Sequence, residues 1–92
     1  SGSIKAQYDL AKLYFKGEGT PQNYDEAFNW LSKAAAQGHG EACFDLSKMI
    51  INQQGNKLDL EKARQWLIKA SENGIKEAKE DLFQLDIFQL RV

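Results

Sequence analysis

The stretch DEAFNWLSKAAAQG, residues 25–38, returns 36 residues later as EKARQWLIKASENG, residues 61–74. Each copy combines one tryptophan, a set of small residues and a closing glycine. A solitary surface helix has no use for both a very large side chain and a bare, alanine-lined face. A helix with neighbours on more than one side has use for both. The self-similarity extends outward from this stretch. A shift of 36 also aligns Ala6 with Ala42, Asp9 with Asp45, Leu10 with Leu46, Lys12 with Lys48 and Gly19 with Gly55. Over residues 6–38 there are 11 identities in 33 positions without a gap, where chance gives about two at ordinary residue frequencies. A third copy starts with Ala78, Asp81, Leu82 and Leu85 and stops after its first half.

Each unit divides into two helices. The first runs over about residues 4–16 and is broken by Gly17-Glu18-Gly19-Thr20-Pro21. The second starts at Asn23, a strong N-cap, with Glu26 three residues on in a capping-box-like pattern. Asp59 takes the cap position in the second unit. Gly38 and Gly74 fall where a left-handed residue closes a helix. Five helices result. On a wheel of about 100° per residue, Ala6, Leu10, Leu13 and Tyr14 of the first helix lie together. Ala11 bridges them to Ile4, Tyr8 and Phe15, leaving one narrow side for Lys5, Asp9, Lys12 and Lys16. So wide an apolar arc predicts neighbours on two sides, as in stacked helical repeats.

Composition agrees. One proline in 92 residues, with abundant Ala, Leu, Lys, Glu and Gln, favours helices, and no stretch alternates clearly enough for a strand. Lys plus Arg is 12 against Asp plus Glu 13, which removes any general attraction to nucleic acid or an anionic membrane. No apolar run approaches the roughly 20 residues needed for membrane insertion. Ser1-Gly2-Ser3 reads as a cloning remnant, which places the natural N-terminus and any targeting segment outside the sequence. Cys43 is the only cysteine, so there is no internal disulfide.

The candidate chemistry is sparse. His39 and Cys43 stand at i, i+4, but two ligands do not close a zinc site and no other His or Cys exists. A helix-start histidine and a small, semi-buried cysteine are the expected roles. Gly17-Glu18-Gly19 lacks the Gly-Lys-Ser/Thr that completes a phosphate loop, and it follows a helix. One histidine with no nucleophile motif gives no catalytic triad. No catalytic, cofactor-binding or metal-binding residue is assigned, and no cofactor is expected. Trp30 and Trp66, repeated at the period, are expected to pack between the helices of a unit.

The pattern A-x-x-x-L-A-x-L-Y-x-x-G-x-G over residues 6–19, followed by D-E-A-x-x-W-L-x-K-A-A-x-Q-G over 25–38, resembles the Sel1-like repeat (SLR), a relative of the tetratricopeptide repeat. The second copy keeps Ala42, Leu46, Gly55, Ala63, Trp66, Ala70 and Gly74, and the likeness spans about residues 4–85. There are departures. Ala11 and Ser47 stand where the family has glycine, Gln53 replaces the first loop glycine, and Ile50 replaces the tyrosine. Phe83 and Asp86 occupy the third-copy positions of Ala11 and Tyr14.

The resemblance implies an all-α, right-handed superhelical solenoid of about two and a half helix-turn-helix repeats. Its units are residues 4–39 and 40–75, with 76–92 as a terminal half repeat or capping helix. It further implies a non-catalytic module that binds a protein or peptide on a concave face lined by the first helix of each unit. The corresponding positions are Lys5, Tyr8, Lys12, Phe15 and Lys16, then Glu41, Phe44, Lys48, Ile51 and Asn52, then Glu77, Glu80 and Gln84. The stripe is basic and aromatic at one end and acidic at the other, which suits a segment with acidic groups near the first helix. Asn29, Ser32, Lys33, Arg64, Gln65 and Lys69 are expected to form a solvated opposite face. The C-terminal DLFQLDIFQLRV, residues 81–92, is rich in apolar side chains with no partner helix to cover them. Phe83, Ile87, Phe88 and Leu90 are therefore candidate contacts of a homo-oligomer, the second reading. The resemblance leaves the bacterial periplasm, secretion and the cytosol open, with family settings from the bacterial envelope and host interaction to eukaryotic membrane-protein quality control, and no residue selects a compartment.

Overall fold

Five helices follow one another in the computed structural model, which describes residues 3–52 and 60–90, with side chains to Ile87. They are α1 (Ile4–Lys16), α2 (Tyr24–Ala36), α3 (Gly40–Ile51), α4 (Leu60–Glu72) and α5 (Lys76–Leu90). Helix α1 packs on α2, α2 on α3, α3 on α4 and α4 on α5. The result is a serial stack, 41 Å in its long dimension and 24 by 17 Å across. The fold is the all-α repeat solenoid that the sequence predicts. The expectations for Gln53, Gly55 and Asp59 lie outside the described residues.

Local chemistry fixes the helix ends. Ser3 Oγ accepts the Ala6 N–H at 3.0 Å, so the first described residue caps α1. Asn23 Oδ1 accepts the Glu26 N–H at 3.1 Å and starts α2 as predicted. His39 is a working N-cap: its Nδ1 accepts the Ala42 N–H at 3.1 Å. At the unit boundary, Gly38 and Gly74 adopt φ of 89° and 93°, a region that costs a residue with a Cβ about 1–2 kcal/mol. The same backbone bonds recur at both places. Gly38 and Gly74 donate to Ala35 and Ser71, and His39 and Ile75 donate to Ala34 and Ala70.

Small residues carry the helix contacts. Ala27, Ala34, Ala35, Ala42, Ala63, Ala70 and Ala78 have no exposed surface. They let backbones approach while Leu31, Leu46, Ile50 and Leu67 fill the remaining space, each large apolar side chain contributing roughly 1.5–3 kcal/mol on burial. Ser47 is the one buried polar side chain among the described residues, and its hydroxyl donates to the Phe44 carbonyl at 2.6 Å. Trp30 and Trp66 are half-buried rather than enclosed. Each packs one face on the core and carries a lysine on the other, Lys33 at 4.3 Å and Lys69 at 5.9 Å from the ring centroid.

Three expectations need correction. Two-sided packing holds for α3, where Ala42, Leu46 and Met49 are buried on one side and Cys43, Ser47 and Ile50 on the other. It fails for α1, where the equivalent Ala6 and Leu13 are exposed and Leu10 is half-exposed, because among the described residues no helix stands on that side. Cys43 is wholly rather than partly buried, with its Sγ 3.5 Å from the Ala35 carbonyl, and burial raises its thiol pKa. The opposite face is not simply solvated either. Lys33 and Lys69 cover the tryptophans, and Arg64 Nε lies 3.0 Å from Asp86 Oδ1 of α5.

Candidate functional site

Successive first helices, α1, α3 and α5, share one face of the stack, and the spaces between them form two depressions. The α1–α3 depression has a volume of about 270 Å³. Its floor is Ala11, Leu31 and Met49, each at most 3% exposed. Phe15 forms a wall, and Lys12, Lys16, Lys48 and Asn52 stand around it with Asp45. The α3–α5 depression, about 450 Å³, is lined by Ile51, Leu60 and Leu85 and by Asp81 and Gln84. Lys48 and Asn52 belong to both, so the two join across α3.

The structure brings six of the ten candidate residues of α1 and α3 to this trough: Lys12, Phe15, Lys16, Lys48, Ile51 and Asn52. The other four lie elsewhere. Lys5 is exposed and paired with Asp9 at 3.2 Å. Glu41 is exposed at the start of α3. Tyr8 is buried, and Phe44 is half-buried against the core. These two aromatics serve as platforms. Lys12 Nζ sits 5.3 Å from the Tyr8 ring centroid and Lys48 Nζ sits 4.5 Å from that of Phe44. The i, i+4 spacing of each pair stacks cation over ring on one helix face. Of the α5 candidates, Gln84 lines the second depression, while Glu77 and Glu80 are exposed outside its lining.

Asp45 is the residue that sequence reasoning missed. Tyr8 donates its hydroxyl proton to Asp45 Oδ2 at 2.7 Å, bridging α1 and α3. The Tyr8 ring also lies against His39, with centroids 4.7 Å apart. Burial raises the Asp45 carboxyl above its ordinary value, opposed by the Tyr8 hydrogen bond and by Lys12. Burial and the bond to Asp45 likewise raise the Tyr8 phenol. The available signal was the recurrence of Asp9, Asp45 and Asp81 at the period. The partner was not legible, because it lies 37 residues away and only stacking brings it close. In the second unit Phe44 replaces Tyr8 and has no hydroxyl to offer Asp81.

At the C-terminal end, Phe83 is 65% exposed and Ile87 half-buried. Phe88 and Leu90 side chains lie outside the described residues. No group of three or more His, Cys, Asp or Glu that could hold a metal occurs among the described residues. None of the described helices is long and apolar enough to cross a membrane.

Paired helices stacked at a fixed period, with a solvent-open trough along one face, define a tetratricopeptide-like repeat scaffold. The Sel1 repeat model matches residues 4–39 and 40–75, and the chain belongs to that family. Among solved structures it is similar to a Sel1 repeat protein from Oxalobacter formigenes, with a TM-score of 0.85 and 34% identity, covering 87% of this chain and 33% of that one. It is also similar to a protective antigen present in uropathogenic Escherichia coli strains that displays an SLR fold. That match has a TM-score of 0.82 and 33% identity, and covers 85% of this chain and 17% of the antigen. The chain thus spans a third or less of these relatives' lengths. A comparison with curated proteins gives no match. Repeats of this family are typically non-catalytic scaffolds, and the chain carries two of them.

Proposed function

We propose that the chain binds a peptide or protein segment along the trough formed by α1, α3 and α5. The observation that carries this reading is the α1–α3 depression. It is an open space with an apolar floor and three lysines around it, set on the face where six sequence-predicted residues converge. An apolar centre with a charged rim is the usual anatomy of a protein-binding surface. The test is the double substitution Lys12→Glu with Lys48→Glu, both exposed. Capture of a partner by the intact protein should weaken by tenfold or more while the circular dichroism spectrum is unchanged. Unaltered capture would remove the trough from the account.

A second reading is self-association through α5, favoured by the exposure of Phe83. Among the described residues no large apolar side chain is more exposed. Light scattering should then show a mass that rises with concentration, and Phe83→Ser should abolish the rise. A constant monomer mass at high concentration would sink this version.

A further inference from the structure

We infer that the trough selects a charge-ordered segment. An apolar anchor flanked by acidic side chains would sit between α1 and α3, followed by an apolar anchor flanked by basic side chains between α3 and α5. This rests on the reading of the trough as a peptide site and names the partner's chemistry.

Three observations lead to it. First, the α1–α3 depression holds three cations against one acid, and that acid is already engaged. Asp45 gives one oxygen to Tyr8, whereas Lys12, Lys16 and Lys48 form no ion pair among the described residues. Two of the three ammonium groups rest over aromatic rings. The rings restrain them near the rim, so less side-chain entropy is lost when an anion arrives. Second, the floor is apolar and suits an apolar group. Leu31 and Met49 are 3% and 2% exposed, and a carboxylate placed on them would lack hydrogen-bond partners. An acid must therefore meet the rim while an adjacent apolar side chain enters. Third, the wall that faces α3 changes sign from α1 to α5, with Lys48 common to both linings. The α3–α5 depression repeats the apolar base with Ile51, Leu60 and Leu85, but α5 supplies Asp81 and Gln84 to its lining where α1 supplies lysines to the first. A uniformly acidic segment meets repulsion there, and a uniformly basic one meets it at α1. Only a segment that changes sign along its length is complementary to both.

The experiment is panning of a displayed library of random dodecapeptides on the 92-residue chain. A parallel panning uses the Lys12→Glu, Lys16→Glu variant. Recovered peptides are then titrated while the methyl NMR signals of Leu31, Met49 and Leu85 are followed. The expected peptides place Asp or Glu beside a leucine-like residue at one end and Lys or Arg beside another at the far end. They should shift all three methyl signals and bind the variant at least tenfold more weakly, and the variant should recover peptides without the acidic end. Peptides that shift these signals yet show no charge order, or bind both proteins equally, overturn the charge selection and leave the trough as the site. Peptides that leave the methyls unmoved, or failure to recover any, overturn the peptide-site reading and this inference with it.

Discussion

Tyr8 and Asp45 show how much one pair can do at a repeat junction. The phenol spans from α1 to α3, satisfies a half-buried carboxylate and lies beneath Lys12. The pH dependence has a definite sign. Asp45 holds its proton to a higher pH in the folded chain than its ordinary 3.8. Its contribution to stability is therefore full below that value and is lost as pH rises through the folded pKa. Tyr8→Phe removes the bond that favours the ionised carboxylate, so the pKa rises further. Urea unfolding should show a loss of about 1–2 kcal/mol at neutral pH and a smaller loss near pH 3. An equal loss at both values would mean that the hydroxyl does not serve the carboxylate. Aspartates at 9, 45 and 81 were visible in the sequence as a periodic feature. The bond was not, because it depends on which residue precedes the aspartate one unit earlier.

At the scale of the element, equal sequence positions do unequal work. Met49 and Leu13 occupy the same place in successive units, but one is 2% exposed and the other 41%. Met49→Ala should cost roughly 2–5 kcal/mol, the usual range for a large core side chain cut to alanine. Leu13→Ala should cost under about 1 kcal/mol, as expected at an exposed site. Thermal melts of the two variants make the comparison, and similar losses would refute the difference in packing. Helix limits were highly legible because caps act locally: Asn23, Gly38 and Gly74 behave as their residue types predict. The wide apolar arc of α1 was also legible, but its occupancy was not. Periodicity records which faces are suited to packing, and a neighbour must be present for burial to follow. The pairing of Arg64 was not legible for a related reason, since its partner Asp86 belongs to the next unit.

For the whole molecule, the repeat predicts the stack and places the lysine-bearing face. The sequence does not reveal the join of the two depressions at Lys48 and Asn52, which depends on the spacing of three helices that are not neighbours in the chain. Nor does it separate Lys12, which reaches the trough, from Lys5, which pairs with Asp9. The one-sided burial of α1 has a kinetic counterpart. A helix shielded on a single side opens without disturbing the rest, whereas α3 can be exposed only by parting two interfaces. Hydrogen exchange should therefore run as a gradient, with α1 amides exchanging early and those of α3 last. Uniform exchange along all the helices would mean a single all-or-none unit. A graded molecule can release its first helix, and with it Lys12 and Lys16, while the central hairpin stays folded.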